Sequence, residues 1–66
     1  MAKGTVKWFN DLKGYGFITP DEGETDLYFE RSHIDTATQM LIDGQRVEFE
    51  VGEGLHGVEA RHIHGA

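Results

Sequence analysis

The chain has no cysteine and a single proline, Pro20, among its 66 residues. Without thiols it can form neither a disulfide staple nor a thiolate metal site, which fits a reducing compartment. No apolar stretch nears the ~18 residues a membrane span requires. The opening residues MAKGTVKW carry no apolar segment of the kind a secretory signal uses. The expectation is a cytoplasmic protein with no membrane association. A chain this short forms one domain, residues 1–66, and buries only roughly 60% of its unfolded surface. That leaves one thin core and no room for a deep catalytic pocket, so no enzyme activity and no cofactor are expected.

Basic residues are also scarce. Six lysines and arginines stand against twelve carboxylates, a formal net charge of −6. The imbalance is uneven along the chain. Residues 1–20 hold Lys3, Lys7 and Lys13 against Asp11 alone, whereas residues 21–66 hold Arg31, Arg46 and Arg61 against all the other acids. Local charge governs contact, while net charge governs solubility and long-range repulsion. The one positive segment contains the run KGYGFI, Lys13 to Ile18, in which two aromatics alternate with two glycines. Such a run suits stacking against flat rings.

Nine glycines punctuate short apolar runs, and no segment shows a sustained helical period. TVKWFN (5–10), YGFIT (15–19), LYFE (27–30), RVEFEV (46–51) and VEARHIH (58–64) read as strands, rich in β-branched and aromatic residues or strictly alternating. DLKG and GEGLHG read as turns, and residues 32–44 as an irregular crossing. Five short strands with tight connections predict an all-β barrel, closed or nearly so, which hides its edges. Period-two parity assigns Val6, Ile18, Leu27, Phe29, Ile34, Val47, Phe49, Val51 and Ile63 to the core. It leaves Tyr15, Phe17 and Tyr28 outside as a patch of rings on neighbouring strands, and such a patch usually has a purpose. Trp8 and Phe9 have opposite parity, so both reach the outer face only if a bulge or strong twist intervenes.

GTVKWFN followed by KGYGFITPD, and later DGQRVEFEV, resembles the bacterial cold-shock protein family over essentially the whole chain. KGYGFI is similar to the family's first ribonucleoprotein motif, with tyrosine where phenylalanine is usual. The resemblance implies a small five-stranded antiparallel oligonucleotide-binding (OB) barrel. It also implies sequence-tolerant binding of single-stranded RNA and DNA, and a chaperone role that keeps transcripts unpaired. Position by position, Lys7, Trp8, Phe9, Lys13, Tyr15, Phe17 and Tyr28 match the family's binding residues. The chemistry agrees, since bases stack on exposed rings at ~1–3 kcal/mol each with little sequence preference, and lysines at the rim attract phosphates.

The second motif departs from the family. Where an aromatic, valine, histidine, phenylalanine and serine are usual, the chain has Tyr28, Phe29, Glu30, Arg31 and Ser32. Glu30 places a carboxylate where phosphates would pass. Arg31 offers a planar guanidinium for stacking or phosphate pairing and is counted as a binding residue. Fewer stacking platforms imply weaker binding than the family norm. The alternative reading is a protein-interaction or self-associating module on the same barrel. A monomer is expected, with dimerisation through edge strands as the alternative.

Other chemistry finds less support. Asp21, Glu22, Glu24 and Asp26 crowd one turn but lack the ligand spacing of a calcium loop. His62 and His64 share a strand face by parity, and without a third ligand they do not make a metal site. Ser32 has no base and orienter for a hydrolytic triad. Met40, Leu41 and Ile42 are expected to cap the barrel.

Overall fold

A computed structural model describes residues 1–23 and 25–66. The turn carboxylate Glu24 therefore lies outside the described residues. Five strands, β1 (Ala2–Asn10), β2 (Tyr15–Pro20), β3 (Leu27–Glu30), β4 (Arg46–Gly54) and β5 (Gly57–Gly65), form a closed barrel in the order β1-β2-β3-β5-β4. A single 3₁₀ turn, Arg31–His33, follows β3 among the described residues. Among the described residues no helix is long and apolar enough to cross a membrane. The fold is the all-β, OB-like barrel expected, with one difference in detail. β1–β2, β1–β4, β2–β3 and β4–β5 pair antiparallel, but β3 meets β5 in parallel at Tyr28 and Glu59. Strand parity says nothing of direction, and this seam is set by the long return from β3 to β4.

The return is held by a few anchors. Ile34 bridges Ile63 in parallel, and the Asp35 N–H donates to the Ile63 carbonyl at 2.8 Å. Further on, Leu41 is buried while Met40 and Ile42 stay exposed, so one residue of that trio caps the barrel. Gln45 rejoins β1, its carbonyl accepting the Val6 N–H at 2.9 Å.

The core consists of Val6, Ile18, Leu27, Phe29, Ile34, Leu41, Val47, Phe49, Ala60 and Ile63. Val51, assigned to it by parity, is instead 57% exposed. The reason lies in the pairing: β1 accompanies β4 only as far as Phe49, opposite Ala2. Beyond that point β4 continues into a hairpin with β5, and Val51 has lost the strand it would pack beside. Leu41 and Ala60 are core residues that parity did not assign.

The β1 register slips by one residue between Val6 and Trp8 where it faces β2. This bulge decides which side chains of β1 face outward. Val6 stays inside, Lys7 and Trp8 both turn outward, and Phe9 turns inward, where its ring stacks on Phe29 at 5.6 Å between centroids. Gly16 is paired with Phe9 at this point. A β-carbon on Gly16 would sit 2.9 Å from the Phe9 Cα and 3.0 Å from the Phe29 ring, and closer still to the Trp8 carbonyl. Only glycine lets the bulged strand approach so closely.

Candidate nucleic-acid interface

β1, β2 and β3 present Trp8, Tyr15, Phe17 and Tyr28 on one outer face. Trp8 lies edge-on to Tyr15 at 5.4 Å and to Phe17 at 5.3 Å. Tyr15 stacks on Tyr28 at 6.0 Å, and Phe17 meets Tyr28 edge-on at 5.9 Å. These offset and edge-to-face distances are the preferred ones for aromatic pairs. The rings hold one another in place yet remain half-exposed. With His56 they line an open, shallow cavity of about 620 Å³.

His56 is not among the binding residues that the sequence implies. It occupies the two-residue turn between Gly54 and Gly57, which folds its imidazole back over Tyr28 at 4.1 Å and 29°. It is a fifth flat ring on the platform. The run GEGLHG marks the turn, but the turn's direction depends on how far the β4–β5 hairpin projects, which short-range pattern does not reveal.

The other predicted residues have separate placements. Phe9 packs against the core rather than joining the outer cluster. The Arg31 guanidinium lies 5.4 Å from the Phe9 ring centroid. It also pairs with the Asp11 carboxylate at 3.4 Å, and it donates to the Asp11 and Gln39 carbonyls. Arg31 thus clamps the β1–β2 turn to the crossing, and its fork is already engaged. Glu30 and Arg31, adjacent in sequence, turn to different partners. Lys7 pairs with Asp26 at 2.8 Å, and both are partly exposed. Such a partly exposed pair is worth little in water. Among the described residues the Lys13 ammonium makes no ion pair, and its backbone N–H donates to the Asn10 side chain at 2.9 Å.

Tyr28 is the most constrained ring. Its hydroxyl donates to Glu30 at 2.9 Å. Burial, then the Glu30 hydrogen bond and charge, push the phenol up to about 12, so it stays protonated at every physiological pH. Behind it lies Glu59, the one buried charged residue of the described chain. Burial pushes the Glu59 carboxyl up, but the Arg61 hydrogen bond and the charges and backbone around it outweigh this and hold it below its ordinary value. Among the described residues no group of three or more potential ligands could hold a metal ion. His62 pairs with Asp35 at 3.0 Å and His64 turns to the Gly65 carbonyl, so these two do not converge.

Flat rings side by side on one face of a sheet, open to solvent, are suited to hold unpaired nucleobases. Comparison with known proteins gives the same direction. The "Cold-shock" DNA-binding domain family matches residues 2–66. The chain is 50% identical over 64 residues to the cold shock-like protein CspA of Stigmatella aurantiaca, covering 96% of this chain and 94% of that protein. It is 49% identical to the cold shock protein of Arthrobacter globiformis, with 96% of each chain covered. To the cold shock-like protein CspE of Escherichia coli it is 48% identical, covering 92% and 90% respectively. With the barrel, the ring cluster and these matches together, the chain belongs to the cold-shock domain family.

Proposed function

We propose that this nucleic-acid-binding domain takes single-stranded RNA and DNA with little sequence preference and acts as a chaperone that keeps transcripts unpaired. The observation that carries the reading is the contiguous cluster of Trp8, Tyr15, Phe17 and Tyr28. Each ring offers a face to a base at ~1–3 kcal/mol, and every base has a face to offer. Binding of this kind competes with base–base stacking stoichiometrically, so hairpins open without ATP. Lys7 and Lys13 flank the platform and supply phosphate contacts.

The affinity is micromolar, about 4 kcal/mol short of nanomolar. Two features support this. Glu30 keeps a negative charge against Tyr28, and Arg31 is occupied by Asp11 and Phe9 rather than reaching outward. With few cations at the surface, the salt dependence is shallow, with a slope of about −2 to −3 on logarithmic axes.

Titration of a thymidine-rich or uridine-rich oligonucleotide, followed by Trp8 fluorescence, tests the reading. Saturable quenching with a micromolar dissociation constant is expected. Absence of quenching, together with concentration-dependent sizing of the protein alone, would replace it with a self-associating module.

A further inference from the structure

Beneath the platform, Glu59 gathers charges from three parts of the chain. Arg61 Nη2 lies 3.3 Å from its Oε1, His33 Nε2 3.9 Å from the same oxygen, and His56 Nδ1 3.6 Å from Oε2. Room for the carboxylate comes from Gly54, where a β-carbon would collide with both Glu59 oxygens. One charged group is thus shared between a permanent cation and two imidazoles.

The two imidazoles are not equivalent. His33 Nδ1 accepts the Glu30 backbone N–H at 3.2 Å. A lone pair used in that way carries no proton, so the neutral His33 ring has its hydrogen on Nε2, toward Glu59. Charging His33 would cost the Glu30 hydrogen bond. His56 has no such commitment among the described residues, and its side chain is half-exposed, so a proton reaches it from solvent. When His56 is neutral, Glu59 and Arg61 balance. When it is charged, the patch gains one positive charge.

That charge would appear where it matters. Among the described residues the cavity is lined by four uncharged rings and His56, with no lysine or arginine. The groups around His56 are Tyr28 and, through its hydroxyl, Glu30 from β3; Glu59 and Arg61 from β5; and His33 from the 3₁₀ turn. Histidine is the side chain whose charge ordinarily changes between about pH 5 and 8. An imidazolium over the Tyr28 face is favoured by the ring's quadrupole, and its outer side faces the passing strand.

We infer that His56 is a proton-controlled contact of the nucleic-acid site: Glu59 holds its imidazolium over Tyr28, and mild acidification adds a cation for a phosphate of the bound strand. The inference rests on the binding function proposed above and specifies its regulation. Binding tightens as pH falls through the imidazole range, and the bound complex takes up a proton.

Heptathymidylate is the probe, because thymine does not titrate in this range. Trp8 quenching is measured at about pH 8 and about pH 5.5 at several salt concentrations. For the natural sequence the affinity rises roughly three- to tenfold on acidification, and the salt slope steepens by about 0.7. His56→Gln flattens the pH profile to within about twofold. His56→Arg binds at the tighter level at both pH values, and His33→Gln keeps the natural profile. Quenching that is equally strong at both pH values overturns the inference and leaves the binding function standing. So does a full pH response in His56→Gln, or loss of the response in His33→Gln. No quenching at either pH removes the binding function itself, and the inference with it.

Discussion

The Tyr28 hydroxyl donates to the Glu30 carboxylate across 2.9 Å, two residues along the same strand. The residue that departs most from the family pattern is thereby tied to the central ring of the platform. The bond orients Tyr28 and also fixes a negative charge beside the ring cluster.

Replacing Glu30 with glutamine separates these two effects. The amide oxygen can still accept the Tyr28 hydrogen bond, while the charge is gone. Affinity for a short thymidine-rich strand should rise about two- to fivefold, the worth of one exposed like charge at ~0.5–1 kcal/mol. Fluorescence titration measures it. Unchanged affinity would mean that the strand runs clear of Glu30.

Tyr15→Ala and Phe17→Ala each remove one platform ring. Both rings are only half-buried and sit outside the core, so the barrel stays folded and circular dichroism is unchanged. Each substitution should weaken oligonucleotide binding by ~1–3 kcal/mol, which is roughly five- to 150-fold. If either leaves affinity untouched, the binding face has been assigned to the wrong side of the sheet.

Gly16→Ala should act in the opposite way, on the fold before the site. The added carbon meets the backbone of β1 and the Phe29 ring with no flexible side chain to give way. Overpacking of this kind costs about 2–3 kcal/mol or more. Urea unfolding should show the loss directly. A variant of natural stability would contradict the close approach of β1 and β2 at the bulge.

Acid should weaken the barrel through Asp21. Arg46 forks onto its carboxylate at 2.7 and 2.6 Å, and that hydrogen bonding holds Asp21 below the usual carboxylate range. A group whose folded pKa is depressed stabilises the fold above its unfolded value. The contribution disappears as pH falls through the folded value. Asp21→Asn should therefore lose stability less steeply than the natural sequence between about pH 4 and pH 2. Urea midpoints at successive pH values make the comparison, and parallel curves would show that the pair adds nothing.

Much of the fold was legible in the residues because β-strands announce themselves locally. LYFE coincides with β3, and alternation in RVEFEV correctly placed Val47 and Phe49 inside. The same rule misplaced Val51, since alternation states which way a side chain points but not whether a neighbouring strand is there to cover it. Tyr15, Phe17 and Tyr28 could be grouped because ring type and parity are both properties of short segments. Trp8 and Phe9 could not be told apart, because a one-residue bulge exchanges faces and leaves no mark in composition.

The sequence by itself determined a small all-β chain with outward rings on its second and third strands, through hydrophobic period and turn chemistry alone. Only the tertiary structure decided that Trp8 joins those rings while Phe9 turns to the core, and that Arg31 is spent on Asp11. It also decided that His56 closes over Tyr28 above a buried Glu59. These contacts join residues far apart in the chain. They depend on barrel closure and on a register slip, which arise from the packing of whole strands and are not encoded in any one of them.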